Sequence, residues 1–204
     1  MHKKYKSKNI IINTCGAMII EFSLVFLIIA LFIKSMISIA EHYSTIGKLD
    51  RVSYSLAGII RERSQLYNDN NTLTQEQVNQ LKDLAESMLL NSNITSHDLA
   101  IRVDTIHFNQ SQSSDIENRV IDDIKTSSFS VGSCESDTSL RGLTHLSSFS
   151  NAGRWIPLYQ VTLCFPAAPW YRTLLNQNGS AIAIKSSSIT VERLSNNVSH
   201  TTTE

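Results

Sequence analysis

Apolar residues are spread along this chain in two unlike ways. From Ala17 to Ile33 the sequence AMIIEFSLVFLIIALFI is apolar at every position except Glu21 and Ser23. As a helix this block spans about 25 Å, and about 36 Å if continued to Ala40, against a hydrocarbon layer of about 30 Å. Lys34 interrupts it near the far end, where a long side chain can reach headgroup level. Beyond Ala40 the pattern turns amphipathic: Ile46, Leu49, Val52, Ser53, Leu56 and Ile60 recur at helical steps of three or four. No proline occurs from residue 17 to 156. One helix running to about Leu66, closed by the turn signal Asn68-Asp69-Asn70-Asn71, is the expected result.

Thr74-Gln75-Glu76-Gln77 has the form of a capping box, with Thr74 as cap and Gln77 reaching back. Val78, Leu81, Leu84, Ala85, Met88 and Leu89 then share one face of a second helix ending near Leu90, followed by a loop over 91–97. LAIRVDTIHF (99–108) mixes β-branched residues with alternating polarity and predicts a strand, as do IPLYQVTLCF (156–165) and AIAIKSSSITVE (181–192). Between them, Ile116, Val120, Ile121 and Ile124 predict a short helix, and the Ser/Gly-rich run 127–153 predicts irregular chain. Residues 195–204 form a polar tail. The fold class expected is α+β: a long N-terminal membrane-spanning helix extending into a small α+β domain with antiparallel strands.

Charge gives this plan a direction. Lysine and arginine total 18 and aspartate and glutamate total 18, but residues 1–16 hold Lys3, Lys4, Lys6 and Lys8 and no acid. The remaining fourteen bases and eighteen acids leave the body at a net −4. A basic leader before an apolar helix predicts a cytoplasmic N-terminus, with everything past about residue 40 outside. A mildly acidic body argues against nucleic acid as a partner. The cysteines agree with export. Cys15 lies in the leader, which leaves Cys134 and Cys164 as an even pair in the outer domain, where a disulfide persists.

Glu21 is the unusual residue of the apolar block, because an ionisable group in a membrane segment is costly and is by default a functional candidate. It lies five residues after Gly16 in the row CGAMIIEF, behind the lysine-rich leader. This arrangement resembles the processing site of type IV prepilins and pseudopilins. The resemblance implies cleavage by a prepilin peptidase between Gly16 and Ala17, on the cytoplasmic face. The chemistry is coherent: glycine lets a protease approach the backbone closely, and the cut creates an ammonium at Ala17 that a neighbouring subunit's Glu21 can pair with. An ordinary secretory signal cut after Ser38-x-Ala40, just before Glu41, is the alternative at this point.

Three stretches extend the likeness beyond the leader: CGAMIIEFSLVF, RERSQLY and GRWIPLYQVTLCF. Through them most of residues 10–190 is similar to the protein F branch of the tight-adherence pseudopilins (TadF-like). That family implies a minor component of a Flp-type pilus assembly system in a Gram-negative bacterium, acting in pilus biogenesis, adherence and biofilm formation. The expected partners are the prepilin peptidase, other pilin-like subunits and inner-membrane lipid. The major pilins of such systems are short and carry Glu-Tyr, whereas this chain has Glu21-Phe22 and a large outer domain. The resulting division is 1–16 cytoplasmic leader, 17–40 transmembrane helix, 41–194 periplasmic pilin-like domain and 195–204 tail.

Signals for catalysis are sparse. The sequence has no G-x-S-x-G, no H-E-x-x-H, no C-x-x-C and no glycine-rich phosphate loop. His97, His107 and His145 are scattered, and Asp122-Asp123 is a vicinal pair whose side chains should diverge. The expectation is therefore no enzyme, no metal and no cofactor. Arg61-Glu62-Arg63 reads as a solvated helix face or a contact for an acidic partner. Trp155, Tyr159, Trp170 and Tyr171 read as core or as a docking loop. A pseudopilin of a type II-like secretion system, or an anchored periplasmic enzyme or sensor, are the competing functions.

Overall fold

The computed structural model describes residues 14–62, 73–91, 98–111, 113–151, 153–167 and 182–193. The leader up to Asn13, the turn at Asn68–Asn71, most of the 91–97 loop with His97, Trp170, Tyr171 and the tail lie outside the described residues. The chain divides into two compact units, Met1–Tyr43 and Ser44–Glu204.

The first helix, α1, spans Thr14–Arg61, ending some five residues before the Leu66 that the apolar steps suggested. In the first unit its large apolar side chains, from Met18 to Ile39, are 43–73% exposed. In the second unit one face of α1 is buried through Leu49, Val52, Leu56, Ala57 and Ile60.

The second helix, α2, spans Gln75–Leu90 and begins at the expected capping box. Thr74 Oγ1 accepts from the Gln77 backbone N–H, while the Gln77 side chain accepts from the Thr74 N–H, so two otherwise orphaned donors are satisfied. Its buried face is Val78, Leu81, Ala85 and Leu89. This stripe is narrower than the pattern suggested, since Leu84 is 40% exposed.

Six strands follow: β1 Ala100–Ile106, β2 Ser127–Val131, β3 Phe149–Ser150, β4 Arg154–Trp155, β5 Leu158–Ala167 and β6 Ile182–Val191. Four of them form an antiparallel sheet in the order β2-β1-β5-β6, and β3 and β4 make a separate small hairpin. Period-two alternation gives the sheet two different faces. Ile101, Val103, Tyr159, Val161, Leu163 and Ile184 pack against the buried faces of α1 and α2 in one core. Burying each such side chain contributes about 1.5–3 kcal/mol. A hydrogen bond of 2.8 Å between the Ser53 and Ser186 hydroxyls, both buried, ties α1 to β6.

The opposite face carries Ala100, Arg102, Asp104 and Ile106 of β1 beside Cys164, Thr162, Gln160 and Leu158 of β5. The chain from Cys134 to Leu140 lies over it. A disulfide joins Cys134 to Cys164, with Cα atoms 5.5 Å apart. Gln160 donates to the Thr138 carbonyl at 3.2 Å, and Lys185 pairs with Asp137 at 2.7 Å. Leu140 closes a second core with Ile106, Phe108, Leu158 and Trp155. The turn into this cover needs Gly132, whose φ is 84° and where a Cβ would stand 2.8 Å from that of Ala100.

Two expectations fail here. Residues 116–124 form no α-helix: only Ile116–Asn118 makes a 3-10 turn, and Ile121 instead bridges to Phe108. Side chains of Ser113 and Asp122 accept from backbone N–H groups two or three residues on, which satisfies this backbone without a helix. The run 127–153 is likewise more ordered than its composition suggests, holding β2, a 3-10 segment at Leu140–Leu146 and the first strand of the hairpin. In β2, Phe129 and Val131 reach the main core while the intervening serines do not.

Candidate functional site

The N-terminal half of α1 is the most distinctive surface. Its most apolar eighteen-residue stretch, near the N-terminus, has a mean hydropathy of 2.4 and no buried residue. By length and composition it can cross a membrane. The helix already includes Gly16 and Ala17, so the bond between them lies in its opening turns. Glu21 and Phe22 follow on the same helix, both exposed. Among the described residues no ion pair reaches Glu21. Its neighbour Ser23 is satisfied locally, donating to the Ile20 carbonyl at 2.8 Å. A carboxylate surrounded by exposed apolar side chains needs a charge or hydrogen-bond partner once water is removed.

The outer domain offers a second feature, a polar cleft of about 390 Å³ beside the disulfide-tethered cover. Arg102, Asp104, Glu135 and Arg141 line it, among several hydroxyl groups. Arg102 Nε lies 3.0 Å from both carboxylate oxygens of Asp104. That hydrogen bond raises the guanidinium above its ordinary value, against the opposing effect of partial burial. These two charges are thereby committed to each other.

The remaining candidates do not converge. His107 is buried with its ring edge-on to Tyr159, centroids 6.1 Å apart, whereas His145 is exposed. Asp122 caps a turn and pairs with Lys125, while Asp123 pairs with Arg141 at 2.7 Å, so the two vicinal acids serve separate structural roles. Among the described residues no group of three or more metal-ligating side chains occurs. Trp155 and Tyr159 belong to the cores, with Arg119 lying 5.3 Å over the Trp155 ring. Glu62 pairs with Arg193 at 3.2 Å, which joins the end of α1 to the chain just after β6.

The sequence signals for the helix, the box and the disulfide were local and periodic. The Arg102–Asp104 pair had no such signal beyond two charges on one face of a strand. A family model, tight adherence pilin protein F (TadF), matches residues 9–193 of the chain. No curated protein and no solved structure matches it.

Proposed function

From the premise that this chain belongs to the tight adherence pilin protein F family, we propose that it is a minor pseudopilin of a Flp-type pilus assembly system. In this reading a prepilin peptidase cuts between Gly16 and Ala17, and the mature chain works by assembly rather than by catalysis. The lysines of the leader keep residues 1–16 in the cytoplasm, which sends the disulfide-bonded domain to the periplasm. An oxidising compartment suits the Cys134–Cys164 bond.

The observation that carries the reading is the exposed apolar stretch at the start of α1, with the carboxylate of Glu21 near its beginning, in a chain of this family. Lipid supplies no hydrophobic drive between helices, so van der Waals packing and a buried ion pair must hold neighbours together. Glu21 of one subunit meeting the Ala17 ammonium of another provides that pair, and each charge alone in the membrane would be costly. Its partners are then the peptidase, other pilin-like subunits and inner-membrane lipid, in the service of pilus biogenesis, adherence and biofilm formation.

Replacing the carboxylate tests this directly. A strain carrying Glu21→Gln should make processed, membrane-inserted protein but lose surface pili under electron microscopy. Normal piliation by that strain contradicts the role given to Glu21.

A further inference from the structure

Within the second unit, α1 has a face that is exposed and unpartnered among the described residues. Gly47, Tyr54 and Gly58 fall within an arc of about 40° on a helix of 3.6 residues per turn. Tyr54 is 75% exposed, a large aromatic surface given to solvent. Among the described residues a methyl group placed on Gly47 or Gly58 would meet no atom within 4 Å, so their packing does not require either glycine. Neither has a positive φ. Glycine in a helix interior is destabilising relative to alanine, and here the fold gains nothing visible in exchange.

The sequence writes this pattern twice, as Tyr43-Ser-Thr-Ile-Gly47 and Tyr54-Ser-Leu-Ala-Gly58, eleven residues apart. Eleven residues bring a helix almost back to the same side after three turns, so Gly47 and Gly58 fall on one narrow side of α1 within the second unit. Asp50 and Arg51 are exposed on opposite flanks of that seam. Among the described residues neither has an ion-pair partner.

We propose that this face of α1 packs against the same face of a second copy of the chain, with the two helices parallel. The proposal rests on the membrane-anchored assembly reading, because two copies inserted from the same side must run in the same direction. A two-fold axis along such a pair sets the left flank of one helix beside the right flank of the other. Asp50 of each copy then faces Arg51 of its partner, giving two equivalent ion pairs in the manner of flanking charges in a coiled coil. Gly47 and Gly58 let the backbones approach, and each Tyr54 ring fills the gap that the other copy's Gly58 leaves open. The charge complementarity selects a second copy, since the surface matches itself. Anchoring in one membrane raises the effective concentration of the two copies, so a short seam suffices.

Oxidative cross-linking of the full-length protein in its native membrane tests the seam. A Cys15→Ser background leaves only the paired Cys134 and Cys164. In it, Gly58→Cys should give a disulfide-linked species at twice the monomer mass. Ile59→Cys, on the other side of the helix, should not. Adding Asp50→Arg or Arg51→Asp alone should abolish the cross-link, and adding both should restore it. Failure of Gly58→Cys to cross-link, capture of a different protein instead, or indifference to charge reversal overturns the proposal. Absence of the dimer in a strain that still needs Glu21 for piliation rejects this seam and leaves the assembly reading standing. A charge-dependent dimer in a strain whose pili tolerate Glu21→Gln supports the seam and rejects that mechanism.

Discussion

Leu27 and Leu56 belong to one helix, yet Leu27 is 57% exposed and Leu56 is fully buried. In the first unit the apolar side chains of α1 point in all directions and are exposed. In the second they keep to one face and meet a sheet. The first pattern has a stable place only where the surroundings are themselves apolar, and the second where one side is water. The helix thus carries two solvent specifications in sequence, and the change occurs near the boundary at Tyr43 and Ser44.

Substitutions can break this contrast in graded steps, each read from unfolding of the outer domain in detergent by tryptophan fluorescence. The largest effect expected is from Cys134→Ser combined with Cys164→Ser. The bridge closes a loop with a sequence separation of 30, which by chain entropy stabilises by about 3.5–4 kcal/mol. The urea midpoint should fall accordingly, and an unchanged midpoint would show that the cover is held without it. Leu56→Ala comes next, removing a fully buried side chain from the main core at a cost of about 3 kcal/mol. Leu27→Ala should leave the same midpoint where it was. A comparable loss from both would erase the distinction between the two halves of α1. The smallest loss expected, short of the silent Leu27→Ala, is from Ser53→Ala, which leaves the Ser186 hydroxyl buried without its partner and should cost about 1–2 kcal/mol. Replacing both serines should restore part of that loss.

What could be read from sequence follows the same contrast. The two helices, β1, β5, β6 and the cysteine pair declare themselves through period, capping and redox context, which are local signals. The box at Thr74 and Gln77 is an instance, since every participant lies within four residues. The cover over the far sheet face was not legible. Its order comes from residues far apart in sequence: Gln160 holding Thr138, Lys185 holding Asp137, and Leu140 filling the end of a core built by β1 and β5. The apolar spacing at Ile116, Val120 and Ile124 misled for a related reason. Those three side chains are 73%, 52% and 96% exposed, so no buried face existed to stabilise a helix there. At the N-terminus, Glu21 was conspicuous in sequence because it breaks an apolar run.

In the proposed function, cleavage after Gly16 gives α1 a new amino terminus at Ala17. Sequencing the N-terminus of the mature protein, isolated from its native membrane, tests that most directly. The expected result is a start at Ala17, which makes Glu21 the fifth residue of the mature chain. A start at Glu41, or an intact leader beginning at Met1 or His2, would contradict it.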